Sequence, residues 1–159
     1  HFESLGMSDE WYTPQYIFDA LGVDFDLDVA HPEGDVITPS KRVITHNSLD
    51  TPWEGFIWMN PPFGGRNGLV PWLNKFFKHG SGIALTPDRS ATDWYHSCLV
   101  KCDAFLIIKG KVKFIRPDGS KGDSPTTGTT LWAIGSKAVD SLNHAESKGL
   151  GVVCKPNTL

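Results

Sequence analysis

The chain has 159 residues, of which 40% are hydrophobic and 21% are charged, which is the composition of one globular domain and excludes a disordered segment. The formal net charge of -3 excludes a protein that coats nucleic acid through an overall basic surface, so any such contact must come from a local basic patch. No apolar run approaches the roughly 20 residues that a membrane-spanning helix needs, and residues 1–10 are too polar for a signal peptide, so we expect a soluble cytoplasmic protein.

The first half of the chain alternates helix and strand patterns. A short helix is predicted over residues 15–21, with Thr13-Pro14 at its start and proline at the first helical position. Alternating apolar side chains predict a strand over residues 23–30. The remaining predicted elements are a short strand at residues 42–45, an apolar strand at 56–59 and a helix at 71–78.

The second half continues the alternation. Strands are predicted at residues 82–86, 104–108, 112–115, 129–134 and 152–155, and helices at 91–100 and 136–148 with Ser136 as the N-cap. The strands at 112–115 and 129–134 are expected to form an antiparallel hairpin at one edge of the sheet. Because strands alternate with helices, we predict an α/β fold with a mostly parallel sheet.

Three residues lie at or just past the ends of predicted strands. They are Asp28, Asn60 and Pro87. Ligands of open α/β sheets bind at the carboxyl ends of the strands. This shared placement predicts a functional site at that edge.

The tetrapeptide Asn60-Pro61-Pro62-Phe63 follows an apolar strand and precedes a glycine-rich stretch. Two prolines stiffen the chain, so the Asn60 side-chain oxygen and the Pro61 carbonyl can act as fixed acceptors. Two acceptors that hold an amino group of a nucleobase favour a tetrahedral nitrogen with an available lone pair. Phe63 can stack on an extruded base. An ordinary Asn-Pro turn is the alternative, but the preceding strand in an α/β chain favours catalysis.

The tetrapeptide stands within a longer pattern. The chain carries, in order, Trp11-Tyr12-Thr13-Pro14, Phe25-Asp26-Leu27-Asp28-Val29-Ala30, Asn47-Ser48-Leu49, Trp53-Glu54-Gly55 and Trp58-Met59 before it. This pattern resembles the phage-encoded DNA N6-adenine methyltransferase family, often called phage Dam-like. The resemblance implies a single Rossmann-like, S-adenosylmethionine-dependent methyltransferase domain over residues 1–159. It further implies site-specific N6 methylation of adenine in double-stranded DNA, in the cytoplasm of a host cell if the protein is phage-encoded.

The resemblance places the cofactor near the start of the first helix. Thr13 and Pro14, with Trp11 and Tyr12 before them, resemble the N-terminal cofactor motif of such enzymes. Backbone amides at a helix N-terminus suit the methionine carboxylate, although a plain helix cap explains the same residues.

Further cofactor residues are expected at the ends of the next strands. Asp26 and Asp28 lie two apart and share a face of an otherwise apolar strand. Asp28 is expected to bind the cofactor's amino group or ribose, and Asp26 either joins it or bonds a loop. Asn47 and Leu49 resemble the Asp-x-Leu segment that contacts the cofactor's adenine in related enzymes. The usual glycine-rich turn is absent, so the residue that holds the ribose stays open.

The densest basic stretch predicts the contact with nucleic acid. Lys109, Lys111 and Lys113 alternate, so in a strand they project from one face, and Arg116 follows. Phosphate neutralisation there would give a modest, salt-dependent affinity. A solvated edge strand with anti-aggregation lysines is the alternative, and the resemblance favours DNA. Arg66 is a second candidate for a phosphate contact.

Other activities fit the same tetrapeptide. Cytosine-N4, RNA and protein-glutamine methyltransferases also present a planar amino group to such a loop, although the last type usually carries a further substrate-binding domain. A catalytically inactive nucleic-acid-binding module is the alternative from another class.

The spacing of Cys98, Cys102 and Cys154 favours free thiols over a metal site. The recognition sequence and the oligomeric state stay open.

Overall fold

A computed structural model describes residues 11–62, 68–116, 118–122 and 127–156. The helices are α1 (Gln15–Leu21), α2 (Val70–His79), α3 (Asp93–Lys101) and α4 (Ser136–Ser147), and a 3-10 helix covers Ser48–Asp50. The strands are β1 (Phe25–Asp28), β2 (Ser40–Val43), β3 (Ile57–Met59), β4 (Gly82–Pro87), β5 (Ala104–Ile108), β6 (Thr129–Ile134) and β7 (Gly151–Cys154). Among these described residues, no helix is both long and apolar enough to cross a membrane.

One sheet contains all seven strands, in the order β2-β1-β3-β4-β6-β5-β7. Strand β1 pairs in parallel with β2 and β3, and β3 pairs in parallel with β4. Strand β6 is antiparallel to both β4 and β5, so β5 runs in the direction of β1–β4, and β7 is antiparallel to β5. Five of the seven strands therefore share one direction, and the prediction of a mostly parallel α/β sheet is confirmed.

The predicted antiparallel edge hairpin is wrong. The strand at Thr129–Ile134 forms, but it lies in the interior of the sheet between β4 and β5. Its central residues Leu131, Trp132 and Ala133 are fully buried. Both faces of this strand are therefore packed against other residues, as is typical of a strand in the interior of a sheet. Residues 112–115 form no strand, and Ile115 alone makes isolated bridges, to Tyr12 and Lys121.

Two helices cover each face of the sheet. On the α1/α4 face, Phe18 and Leu142 pack around the fully buried Trp58. On the α2/α3 face, Phe76 and Tyr95 pack with the fully buried Trp132. The result is a three-layer sandwich whose core lies on both sides of the sheet.

Two helices begin at their predicted residues but have a different N-cap from the one predicted. Pro14 occupies the N-cap position, and α1 begins at Gln15, so the proline lies just outside the helix. Helix α4 begins at Ser136 with Gly135 as the N-cap, so Ser136 is not the cap. Gly135 has φ +94°, a conformation that glycine adopts without strain.

Because strands β1–β5 share a direction, their carboxyl ends lie at one edge of the sheet. Strands β1, β3, β4 and β5 all end there, and β6 begins there because Thr129 pairs with Pro87. We call this side of the sheet the carboxyl edge. As predicted, Asp28 and Pro87 are the last residues of their strands and Asn60 directly follows β3.

Candidate active site

Asn60 is anchored at the carboxyl edge by Thr13. Its side-chain Nδ2 donates a hydrogen bond to Thr13 Oγ1 at 3.0 Å. Thr13 is buried, so water competes little for this bond. Among the residues that the structure describes, none donates to Asn60 Oδ1. The amide is therefore held by its nitrogen, and its oxygen stays available as an acceptor.

The prolines that follow support this position. Pro61 is buried and Pro62 is half-buried, so the chain leaves β3 along a fixed path. Asn60 itself is half-buried. Phe63 and Arg66, the predicted stacking residue and a predicted phosphate contact, lie outside the described residues.

Asp28 lies at the end of β1 with its carboxylate turned inward. Its Oδ2 accepts from Thr38 Oγ1 at 2.5 Å, and its Oδ1 accepts from the Ala30 N–H at 3.1 Å. Burial raises the pKa of the Asp28 carboxyl, and these hydrogen bonds and nearby His31 act in the opposite direction. The carboxylate thus ties both ends of the loop at residues 29–39 to the sheet.

A second set of contacts organises the same loop around His31. His31 is buried, its Nδ1 lies 2.6 Å from the Pro32 carbonyl, and its Nε2 accepts from the Ile37 N–H at 3.4 Å. Tyr12 packs edge-on against the imidazole with ring centroids 5.5 Å apart, and its hydroxyl donates to the Glu33 carbonyl. These buried polar contacts hold the loop at residues 29–39 in place.

Asp26 bonds the loop that leads into β3. Its Oδ2 accepts from the Phe56 N–H at 2.8 Å, and Lys41 Nζ lies 3.4 Å from its Oδ1. The Phe56 hydrogen bond and Lys41 lower the pKa of Asp26. Gly55 fits beside it only because it lacks a Cβ, which would lie 2.5 Å from Asp26 Oδ2. Of the two predicted roles for Asp26, these contacts correspond to the loop-bonding one.

Asn47 and Leu49 lie on the surface after β2. Asn47 adopts φ +56°, a left-handed conformation that asparagine tolerates better than most residues. Leu49 is 37% exposed. Lys75 fixes this segment, because its Nζ donates to the carbonyls of Ser48, Leu49 and Thr51. The predicted adenine-contact pair is therefore presented to solvent on a rigid turn.

Lys109, Lys111 and Lys113 are all exposed, although no strand carries them. They lie on the long connection from β5 to β6, which leaves and re-enters the sheet at the carboxyl edge. Val112 between them is fully buried and anchors this connection in the α1/α4 core. Lys111 and Lys113 are thus exposed on either side of the buried Val112, but they lie in a loop and not in the predicted strand.

Arg116 and the segment before α1 are in direct contact. The Arg116 guanidinium lies 5.3 Å from the centroid of the Trp11 ring. Tyr12 and Ile115 exchange backbone hydrogen bonds of 2.8 and 2.9 Å. The predicted cofactor segment and the predicted DNA-binding loop are thereby brought together.

The predicted site residues divide across the sheet. Asp26 and Asp28 lie in β1 and Asn47 and Leu49 follow β2, whereas the lysines lie beyond β4 on the loop that joins β5 to β6, which also contacts the predicted cofactor residues Trp11 and Tyr12. Asn60 follows β3, between these two groups.

Sequence reasoning missed Thr38 and Lys75. Thr38 is ten residues from its partner Asp28 in a polar loop, and Lys75 lies on a helix whose predicted role was packing. No local pattern identifies either contact. Trp94 packs against the α2/α3 core, and the exposed His96 ring lies within hydrogen-bond distance of the Ser90 carbonyl.

The cysteines are free thiols. Cys98 and Cys102 are buried, and Cys154 is half-buried. Burial raises the pKa of both Cys98 and Cys102 to about 12, so these thiols are poor nucleophiles and poor metal ligands at neutral pH. The described part of the chain contains no group of three or more potential metal ligands.

Comparison with known proteins gives one match. A family model described as DNA N-6-adenine-methyltransferase (Dam) matches residues 4–137. No curated protein and no solved structure matches the chain. The matched residues include the Thr13–Asn60 contact, the Asp28 loop and the exposed lysines.

Proposed function

The chain belongs to the DNA N-6-adenine-methyltransferase (Dam) family, and from that premise we propose that it transfers a methyl group from S-adenosylmethionine to the N6 amino group of adenine in double-stranded DNA. The observation that carries the proposal is the Thr13–Asn60 hydrogen bond at the carboxyl edge. It leaves an oriented amide oxygen beside a stiff Pro61-Pro62 turn.

The chemistry requires a better nucleophile than a free adenine amino group. The nitrogen lone pair of that group is delocalised into the ring. Asn60 Oδ1 and the Pro61 carbonyl accept from its two hydrogens and favour the tetrahedral geometry from which nitrogen can attack. Because Thr13 fixes the amide beforehand, the acceptor needs no reorganisation as charge develops.

The residues after β1 and β2 fit a nucleoside cofactor. S-adenosylmethionine supplies an electrophilic methyl group when it is bound. Leu49 offers exposed apolar surface for a ring, and the Asn47 side chain beside it is exposed. Asp28 contributes by holding the loop at residues 29–39 through Thr38 and Ala30, and its remaining lone pairs can accept from the cofactor.

The DNA contact is assigned to the lysine-bearing loop. Lys109, Lys111 and Lys113 are exposed at the edge where Asn60 lies, in a chain whose net charge is -3. Neutralisation of phosphates there gives salt-dependent affinity. The target adenine must leave the stack to reach Asn60, and Phe63 is assigned to stack on the extruded base.

Methyl transfer to defined substrates tests the proposal. The chain is incubated with radiolabelled S-adenosylmethionine and duplex DNA, and the digested products are separated as nucleosides. We expect label in N6-methyladenine and none with a duplex in which purine, which lacks the amino group, replaces adenine. Label in N4-methylcytosine or in duplex RNA would change the assigned substrate. Cofactor binding without any transfer would support the inactive module.

A further inference from the structure

Trp11 packs against the loop that carries the lysines. The Arg116 guanidinium lies over its ring, 5.3 Å from the centroid. Gly122 packs against the same ring, because a Cβ at that position would lie 2.7 Å from Trp11 Cζ3. The indole thus contacts the loop through two residues that the chain places six positions apart.

The loop is folded to make this contact. Arg116 donates to the Lys121 carbonyl at 2.7 Å, and its backbone N–H donates to the Ser120 carbonyl. The Gly122 N–H donates to the Phe114 carbonyl at 2.9 Å. Arg116 therefore stabilises its own loop with the same group that stacks on Trp11.

The next two residues attach the loop to the catalytic turn. Tyr12 exchanges backbone hydrogen bonds with Ile115, and Thr13 accepts from the Asn60 amide. Of three consecutive residues, Trp11 thus contacts the lysine-bearing loop, Tyr12 pairs with the loop's backbone, and Thr13 orients Asn60. Because Tyr12 is paired with Ile115 on both its N–H and its carbonyl, the contact of Trp11 with the loop and the contact of Thr13 with Asn60 are held on either side of one fixed residue.

We propose that Trp11 is a positioning residue that clamps the loop of Lys109, Lys111 and Lys113 against the Thr13–Asn60 pair, so that phosphate contacts and target-base position are set together. This inference rests on the proposed function for its DNA substrate. It assigns Trp11 to the loop and not to the cofactor, and it assigns Arg116 to Trp11 and not to a phosphate.

Binding measurements separate the two assignments of Trp11. Trp11→Ala should weaken duplex-DNA binding by about 3- to 30-fold, the range that a cation–aromatic contact supplies. S-adenosylmethionine should bind with a Kd within about twofold of the parent value, and Trp11→Phe should restore most of the DNA affinity. Trp72→Ala removes a half-buried tryptophan from the α2/α3 face and serves as the matched control. A raised cofactor Kd in Trp11→Ala, or unchanged DNA affinity, would overturn the clamp.

Arg116 gives an independent readout through salt. A phosphate contact contributes about 0.9 to the slope of log K against log salt. Arg116→Ala should lower the affinity for DNA while the slope of log K against log salt changes by much less than about 0.9. A decrease of the slope by about 0.9 would show that Arg116 contacts a phosphate.

Hydrogen exchange tests the clamp without DNA or activity. In Trp11→Ala, the amides of Tyr12, Ile115 and Gly122 should exchange at least about tenfold faster, since local opening loses a stabilising contact. Amides of β4 should be unchanged. Gly122→Ala, which forces a Cβ against the ring, should produce the same pattern if Trp11→Ala does not fold. Unaltered exchange at these amides overturns the proposal, even if the chain methylates DNA as proposed. Altered exchange in a chain that transfers no methyl group would uphold the clamp while the proposed function fails.

Discussion

The side chains of Thr13 and Asn60 meet at 3.0 Å although 47 positions separate them in the sequence. One precedes the first helix, and the other follows the third strand. Their hydrogen bond joins the segment expected at the cofactor to the loop expected at the target base. The orientation of the Asn60 amide therefore depends on a residue outside its own motif.

Removal of the Thr13 hydroxyl should impair catalysis without unfolding the chain. Thr13→Val keeps the side-chain shape but leaves Asn60 Nδ2 without its acceptor. A net hydrogen bond contributes about 0.5–1.5 kcal/mol, so single-turnover methyl transfer should fall by about 2- to 12-fold. Thr13→Ser keeps the hydroxyl and is the control. Equal rates for the valine variant and the parent would mean that the bond does not orient the amide.

The catalytic loop is tested directly at Asn60. Asn60→Ala removes one acceptor at a developing charge, and the transfer rate should fall by about 10²–10³ while cofactor binding survives. Asn60→Asp should retain much more activity, because its carboxylate remains an acceptor and the Thr13 hydroxyl can donate to it. Rapid-quench kinetics on duplex DNA measure both variants. If the alanine variant is as fast as the parent, Asn60-Pro61-Pro62-Phe63 is only a turn.

Salt dependence tests the lysines. Lys111→Ala combined with Lys113→Ala should weaken DNA binding and reduce the salt slope by about 1.8, at about 0.9 for each phosphate contact. Lys78 and Lys101 are exposed at the opposite edge of the sheet, where α2 and α3 end, so their double alanine variant is the control. The same loss in both double variants would indicate a general charge effect.

The two aspartates of β1 should respond to pH in opposite directions. Burial raises the pKa of Asp28, so between the unfolded value of about 3.9 and the folded pKa the native state binds more protons. Its contribution to the free energy of unfolding is therefore lost as pH rises through that window. The pKa of Asp26 is lowered, chiefly by the Phe56 hydrogen bond, so its contribution is present above the unfolded pKa and lost as pH falls.

Urea unfolding as a function of pH measures both effects. Asp28→Asn should gain stability relative to the parent as pH rises above about 4, and Asp26→Asn should lose it. The Asp26 effect should be the smaller one, because that side chain is 38% exposed and solvent screens it. Parallel stability curves for Asp28→Asn and the parent would contradict the pKa assignment.

The elements of the fold were largely predictable from local pattern. Apolar spacing identified α1 at its observed bounds and located β5 and β6 without error. The position of β6 in the sheet was not predictable in this way, because strand neighbours are chosen by contacts between distant residues. The full burial of Leu131, Trp132 and Ala133 is a consequence of that choice.

In the candidate site, too, local pattern predicted the individual residues but not their contacts with distant parts of the chain. The residue types and order predicted roles for Asn60 and Asp28, and their placement at strand ends predicted the edge of the sheet at which both residues lie. The partner of each residue, Thr13 for Asn60 and Thr38 for Asp28, depends on how loops fold over that edge. Trp11 was predicted at the cofactor, and its contacts with Arg116 and Gly122 arise from a loop about a hundred residues later in the chain.

The interior position of β6 has a consequence for synthesis on the ribosome. When β1–β4 have emerged, the backbone groups along one side of β4 have no strand to pair with, since that place belongs to residues that follow about 40 positions later. An unpaired strand edge of this kind binds other chains and promotes aggregation. Nascent chains that stall before residue 129 should therefore depend on chaperones, whereas chains that include β6 close the sheet themselves.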